Sequence, residues 1–116
     1  MAGAKPHPFP GFTFSVCQLR PTSRGYVRIA SADPFAAPSM QPHYLSTPGD
    51  RACAIAAVRF ARALAGTPAM RPYVEEELRP GPAAQSDDDL LEFARQYGAT
   101  IFHPSGTCKM GPASDP

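Results

Sequence analysis

Residues 101–111 read IFHPSGTCKMG, and the rest of the chain is organised around this stretch. An apolar approach delivers His103 into a turn, where Pro104 fixes the backbone and Gly106 allows a tight bend. Imidazole is the side chain that most readily accepts a proton near neutral pH. The local pattern therefore predicts a single histidine that is held rigidly at the mouth of a site.

The composition limits the chain to one domain with a modest core, since it has 116 residues. The chain has a net charge of +1 and carries neither a stripe of basic residues nor an acidic tail. This charge pattern predicts no nucleic-acid partner. No apolar run approaches the roughly 20 residues that cross a bilayer, so we expect no transmembrane segment. The first residues lack an apolar signal region, and the three cysteines are widely spaced. We therefore expect reduced thiols and a cytoplasmic location.

The first half of the chain predicts a loose lead-in followed by a hairpin. Residues 1–11 are rich in proline and glycine. Polarity alternates over residues 12–20 and again over residues 26–30, with a turn between the two runs, which predicts two antiparallel strands. Residues 33–42 contain three prolines and should be irregular, and residues 43–46 should form a short extended piece.

The second half predicts two helices. The first begins after Thr47, with Asp50 as the acid of a capping box, and ends at Gly66. The second begins at Ser86, in a run of acids that favours a helix N-terminus, and ends at Gly98. The predicted buried stripes are Cys53, Ala57, Phe60 and Leu64 in the first helix and Leu90, Phe93, Ala94 and Tyr97 in the second. The arginines expected to face outward are Arg51, Arg59 and Arg62.

The segment between the helices is mixed. Residues 67–85 contain four prolines, and we expect a short helix over residues 73–78 with a solvated acidic face at residues 75–77. Neither an internal repeat nor a linker divides the chain. The elements together predict an α+β fold, in which helices pack on one side of an antiparallel sheet.

Several motifs occur in the order typical of one protein family. Residues 103–111 read HPSGTCKMG, residues 16–34 read VCQLRPTSRGYVRIASADP, and a helix follows the segment 40–51. These stretches resemble the C-terminal substrate domain of the glucose-methanol-choline (GMC) oxidoreductases, in particular choline dehydrogenase-like members. Several ordered motifs are more specific than one short pattern. The resemblance implies that residues 12–112 form part of that domain, before a truncated tail at residues 113–116.

The resemblance implies an FAD-dependent oxidoreductase that acts on the CH–OH group of alcohols. In this family the flavin N5 takes a hydride from the alcohol carbon, and a histidine of the H-P-x-G-T motif takes the hydroxyl proton. His103 is the matching position, which makes it the candidate catalytic base. FAD is the implied cofactor and an alcohol is the implied substrate, while the cofactor-binding residues of this chain stay unknown.

Three features depart from the family pattern. The chain has no G-x-G-x-x-G fingerprint, which the family carries in an N-terminal FAD domain. The family's partner to the catalytic histidine, a second His or an Asn, lies further towards the C-terminus. His43 stands in PHYLS where the family often reads PNYLS. We therefore expect a fragment of a larger enzyme that lacks its FAD domain and is inactive by itself.

Two alternatives stand beside this interpretation. The chain could be a non-enzymatic α+β module that binds a partner, or a relic, and a stable monomer that binds no FAD would favour that interpretation. His103, Cys108 and Met110 could form a soft-metal site, but we expect Cys108 and Met110 to pack and assign no metal.

Overall fold

The computed structural model describes residues 7–103, 105–108, 110–112 and 114. The elements follow in the order β1 (Tyr26–Arg28), β2 (Ser39–Gln41), α1 (Pro48–Ala65) and α2 (Asp87–Tyr97), with a 3-10 helix (Arg71–Tyr73) between the two long helices. Two antiparallel strands and two helices make an α+β arrangement, so the predicted fold class is confirmed. Most of the predicted lead-in and tail lies outside the described residues, as does Pro104 of the predicted turn.

The sheet consists of two short antiparallel strands. In its register, Tyr26 lies opposite Gln41 and Arg28 lies opposite Ser39. The prediction that residues 33–42 are irregular is wrong for their last part, because β2 lies there. The prolines that flank β2 are compatible with this strand, since a proline outside the ladder removes no strand-to-strand hydrogen bond.

The predicted hairpin between residues 12–20 and 26–30 is wrong. Residues 12–20 form no strand, and most of their apolar side chains are exposed, so the alternation marks no buried sheet face. The partner of β1 is instead fixed by a close approach, because a Cβ added to Gly25 would lie 2.8 Å from the backbone of Pro42. Only glycine permits this spacing, which places β2 beside β1.

Helix α1 begins and ends where the sequence predicts. The Thr47 hydroxyl accepts a hydrogen bond from the Asp50 N–H at 3.2 Å, and the Gly66 N–H donates to the Arg62 carbonyl at 3.0 Å. The predicted capping box is wrong, however, because the Asp50 carboxylate does not return to the helix start. It accepts hydrogen bonds from residues 18–23 instead.

Two predictions about the faces of α1 are also wrong. Phe60 is 65% exposed and so does not belong to a buried stripe. Arg51 and Arg62 turn back onto the protein, and Arg51 donates to the carbonyls of Leu45 and Ser46, each at 2.8 Å. A long arginine side chain can lie along the surface while its guanidinium reaches backbone acceptors, which helical periodicity alone does not reveal.

Arg62 anchors the segment between the two helices. Its Nε donates to Glu77 Oε1 at 2.9 Å, and its two Nη atoms donate to the Ala84 carbonyl at 2.8 Å and the Gly81 carbonyl at 3.0 Å. The predicted helix over residues 73–78 is wrong, because the 3-10 helix ends at the first of these residues. Glu77 therefore pairs with a guanidinium instead of lying on a solvated helix face.

Helix α2 packs against α1 and has a complete capping box. The Ser86 hydroxyl accepts from the Asp89 N–H at 3.1 Å, and the Asp89 carboxylate accepts from the Ser86 N–H at 3.0 Å. The interaction of the carboxylate with the Ser86 side chain, followed by the bond from the Ser86 N–H, holds the pKa of Asp89 below its usual range. Leu90 is fully buried, and Gly98 ends the helix as predicted.

The molecule has a small apolar core for its size. Its accessible surface is 9493 Å², whereas a compact monomer of 12.4 kDa exposes about 6,100 Å². Its radius of gyration is 18.0 Å, compared with about 13 Å for a compact domain of this length. The most exposed large apolar side chains are Met110 (96%), Phe35 (95%), Ile29 (91%) and Leu19 (86%).

Candidate active site

His103, the candidate base, lies in a turn with left-handed backbone on both sides of it. We call residues 102, 103 and 105–108 the motif turn. Phe102 has a φ of 62° and Gly106 a φ of 80°, so left-handed backbone brackets the histidine. The Phe102 N–H donates to the Thr100 hydroxyl at 3.0 Å, which holds the entry to the turn. His103 is exposed, so its ring is accessible from outside, and its role as the base stays a prediction.

Gly106 fixes the motif turn to the rest of the protein. Its carbonyl accepts a hydrogen bond from the Gly25 N–H at 3.0 Å. A Cβ at Gly106 would lie 3.0 Å from the Ser23 carbonyl oxygen, and the φ of 80° disfavours any residue with a Cβ. The motif turn therefore lies directly against residues 23–25, which we call the platform segment.

The platform segment also contacts the turn that precedes α1. The Ser23 hydroxyl accepts from the Ser46 N–H at 3.1 Å, and the Arg24 carbonyl lies 3.1 Å from His43 Nδ1. The Arg24 guanidinium donates to the Pro21 carbonyl at 2.9 Å, which bends the segment back on itself. Three parts of the chain that are distant in sequence thus meet at the platform segment.

Asp50 holds the platform segment in place through hydrogen bonds from Ser23. Its carboxylate is nearly inaccessible, since the residue is 2% exposed. Oδ1 accepts from Gln18 Nε2 at 2.9 Å, the Thr22 N–H at 2.9 Å and the Thr22 hydroxyl at 3.0 Å. Oδ2 accepts from the Ser23 N–H at 2.8 Å and from the Ser23 hydroxyl. A buried carboxylate needs such a set of donors, because it has lost the hydrogen bonds of water.

The environment of Asp50 favours its charged form. The hydrogen bond from the Ser23 hydroxyl is the largest cause, followed by the bond from the Thr22 backbone, and together they hold the pKa of Asp50 well below its usual range. Asp50 also lies in the first turn of α1, where the helix dipole favours a negative charge. The carboxylate is therefore ionised at neutral pH.

His43 lies in a tight turn, which corrects the prediction that residues 43–46 are extended. His43 has a φ of 52° and Leu45 a φ of 55°, both in the left-handed region. The His43 ring meets the Tyr26 ring edge-on, with their centroids 5.8 Å apart. The side chain is otherwise exposed, so its described contacts are those of a turn residue above β1.

Two side chains of the alternative metal site, Cys108 and Met110, lie at the surface. The expectation that they pack is therefore wrong. Within the described part of the chain, no group of three or more His, Cys, Asp and Glu side chains lies close enough together to hold a metal ion. Across the same ranges, no helix is both long and apolar enough to cross a membrane.

The residues of this chain do not fit FAD by themselves. A dinucleotide pyrophosphate is commonly bound at a free helix N-terminus after a glycine-rich turn. Here the sequence has no such turn, and the N-termini of α1 and α2 are occupied by their own serine or threonine caps and acids. Two open depressions, at residues 29–38 and along α1, do not include His103.

Sequence patterns reveal the histidine but not what holds it. Asp50 has the spacing of a capping acid, and that local interpretation hides its contacts with Ser23. The Gly25–Gly106 contact joins residues that are 81 positions apart (106 − 25), so no periodicity indicates it. The glycines themselves are the one available signal, since a glycine often marks a close backbone approach.

Comparison with known proteins, and not the fold alone, gives the family of this domain. The model of the C-terminal domain of the GMC oxidoreductases matches residues 21–116. The chain therefore belongs to the GMC oxidoreductase family, and the resemblance indicated by the motifs is confirmed.

Similar proteins are choline and alcohol dehydrogenases. An alcohol dehydrogenase [acceptor] of Pseudomonas putida is 42% identical over 106 residues, which cover 90% of this chain and 19% of that protein. An oxygen-dependent choline dehydrogenase of Staphylococcus haemolyticus is 43% identical over 106 residues, which cover 91% of this chain and 19% of that protein. A Staphylococcus aureus protein of the same name is 42% identical. The chain thus spans about a fifth of the length of these relatives.

Proposed function

We propose that this chain is the substrate-side part of an FAD-dependent alcohol oxidoreductase of the choline dehydrogenase-like kind. In that enzyme His103 accepts the hydroxyl proton of a substrate CH–OH group. Family membership and the names of the relatives support the reaction class. The observation that carries the assignment is the geometry of the motif turn. Left-handed backbone at residues 102 and 106 lies on both sides of His103, whose imidazole is exposed.

The arrangement suits a general base. A neutral imidazole can take the proton while the alcohol carbon becomes a carbonyl carbon, and such a base contributes about 10²–10⁴-fold to the rate. When bound, FAD supplies the oxidising power for this conversion. The hydrogen bond between Gly25 and Gly106 fixes the backbone near His103. Part of the entropic cost of positioning the imidazole ring is therefore met before the substrate binds.

We further propose that an FAD-binding domain covers the exposed apolar surface of this chain. The relatives are about five times longer than the matched region, since that region is 19% of their length. The accessible surface of 9493 Å² and exposed side chains such as Phe60 and Phe35 provide area for packing. An ordinary polar surface and a larger core would have favoured the alternative of an independent partner-binding module.

The test is a substitution of the histidine in the full-length protein that contains this chain. His103→Ala should lower kcat for oxidation of choline or another alcohol by about 10²–10⁴-fold. Bound flavin, measured by its absorbance, should stay at the wild-type level. The matched control is His7→Ala, because His7 is exposed and stacks only on Phe9 among the described aromatic contacts. A His103→Ala enzyme with full flavin content and wild-type kcat would refute the assignment.

A further inference from the structure

Helix capping does not explain why the Asp50 carboxylate is buried. Thr47 already caps α1, and the carboxylate makes no return bond to the helix start. Among the described residues, the Asp50 carboxylate accepts five hydrogen bonds, and all come from three residues of the preceding loop, Gln18, Thr22 and Ser23. The effect of this buried charge is therefore to fix that loop to the N-terminus of α1.

The same loop contacts the motif turn, and so connects that turn to Asp50. Gly25 donates a hydrogen bond of 3.0 Å to the Gly106 carbonyl, and Ser23 lies beside Gly106, since a Cβ built there would lie 3.0 Å from the Ser23 carbonyl oxygen. Among the described residues, the bond from Gly25 is the hydrogen bond that joins residues 99–114 to the preceding part of the chain. Gly106 is three positions from His103, so a shift of the platform segment moves the backbone that carries the imidazole.

We propose that Asp50 is a positioning residue for His103. It holds the platform segment in place by accepting the hydrogen bonds of Thr22 and Ser23, and the platform segment in turn sets the motif turn. The inference rests on the proposed function, because it gives His103 the role of base. Asp50 is 2% exposed, so we assign it a role through the platform segment and not through contact with the substrate.

The test is Asp50→Asn in the full-length holoenzyme. The amide has nearly the shape of the carboxylate but only one accepting oxygen, so it leaves donors of the platform segment without a partner. We expect kcat to fall by about 10- to 100-fold with the KM for the alcohol within a few-fold, since misplacement by an ångström can cost 10²-fold. Hydrogen–deuterium exchange, followed by mass spectrometry, should become at least several-fold faster in the peptide covering residues 99–112.

Asp89→Asn is the matched control. Asp89 occupies the same third helical position in α2, has a lowered pKa for the same kind of reason, and has no contact with the platform segment among its hydrogen bonds. It should lower stability without changing kcat or the exchange of residues 99–112. If Asp50→Asn does not fold, Ser23→Ala removes the hydroxyl that donates to Asp50 and accepts from the Ser46 N–H, and it should give a smaller change of the same kind because the Thr22 donors and the Ser23 N–H remain.

The outcomes separate this inference from the proposed function. Loss of activity in His103→Ala together with unchanged kcat in Asp50→Asn overturns the positioning role and leaves the function standing. Loss of kcat in Asp50→Asn without faster exchange at residues 99–112 overturns it as well, because the effect would then take another route. Full activity of His103→Ala overturns the function, and the positioning role with it.

Discussion

Replacing Gly106 by alanine should release the motif turn without unfolding the domain. The residue has a φ of 80°, and left-handed backbone costs a residue with a Cβ about 1–2 kcal/mol. The new Cβ would also lie 3.0 Å from the Ser23 carbonyl oxygen, which is tighter than nearly all Cβ contacts. Strain of this kind amounts to about 1–3 kcal/mol in total.

This strain opposes docking, so its effect on the rate can be estimated. Each 1.36 kcal/mol corresponds to a factor of ten, and Gly106→Ala should therefore lower the docked population, and kcat with it, by about 5- to 150-fold. The melting temperature should change little, since Leu90 and the α1–α2 packing are not involved. The turn would undock locally, as weakly held segments do.

The assay combines steady-state kinetics with hydrogen exchange in the full-length enzyme. Faster exchange is expected in peptides covering residues 99–112 and the platform segment, but not in α2. Gly11→Ala is the control, because no other atom lies within 4 Å of a Cβ built there. The reasoning is refuted if Gly106→Ala keeps kcat and exchange within twofold of the wild-type values.

Two further predictions concern stability. The folded-state pKa of Asp50 is lowered and its unfolded value is about 3.9, so its contribution is complete above that value and is lost as the pH falls below it. Urea denaturation between pH 6 and pH 3 should show the onset of this loss in its most acidic part, and an equally steep decline in Asp50→Asn would contradict it. Arg62→Met should cost about 1–3 kcal/mol, because it removes partly buried, charge-assisted bonds to Glu77 and two carbonyls. Arg59→Met breaks an exposed ion pair with Asp87 and should cost about 0–1 kcal/mol, and equal losses for the two arginines would refute the distinction.

The helices were predictable because their signals are local. Thr47, Gly66 and Ser86 act within one turn of the helix ends that they define, so neighbouring residues suffice to interpret them. The alternation over residues 26–30 likewise predicted a strand where β1 lies, but the partner of β1 was not predictable in the same way. The alternation over residues 12–20 has the right period, but pairing depends on the approach of Gly25 to Pro42, which lies outside any local window.

In the candidate site, too, the local signal was predictable and the distant contacts were not. His103 is recognised because the motif string is specific, whereas its support comes from three separate parts of the chain. Asp50 shows why such support is hard to infer. Its spacing satisfies the rule for a capping acid, and the donors of Thr22 and Ser23 compete successfully for the carboxylate only once the loop is folded against α1.

A polar network therefore does here what an apolar core does in a larger domain. Leu90 is the fully buried large side chain of the described residues, so apolar burial provides little that could hold the motif turn in place. In the positioning role proposed for Asp50, the position of His103 depends instead on directional hydrogen bonds, from Ser23 to Asp50 and from Gly25 to Gly106. Hydrogen bonds in such a network strengthen one another, so the loss of one acceptor weakens the others as well. The region around His103, the candidate base, should consequently be more sensitive to single polar substitutions, and to acid, than the two helices.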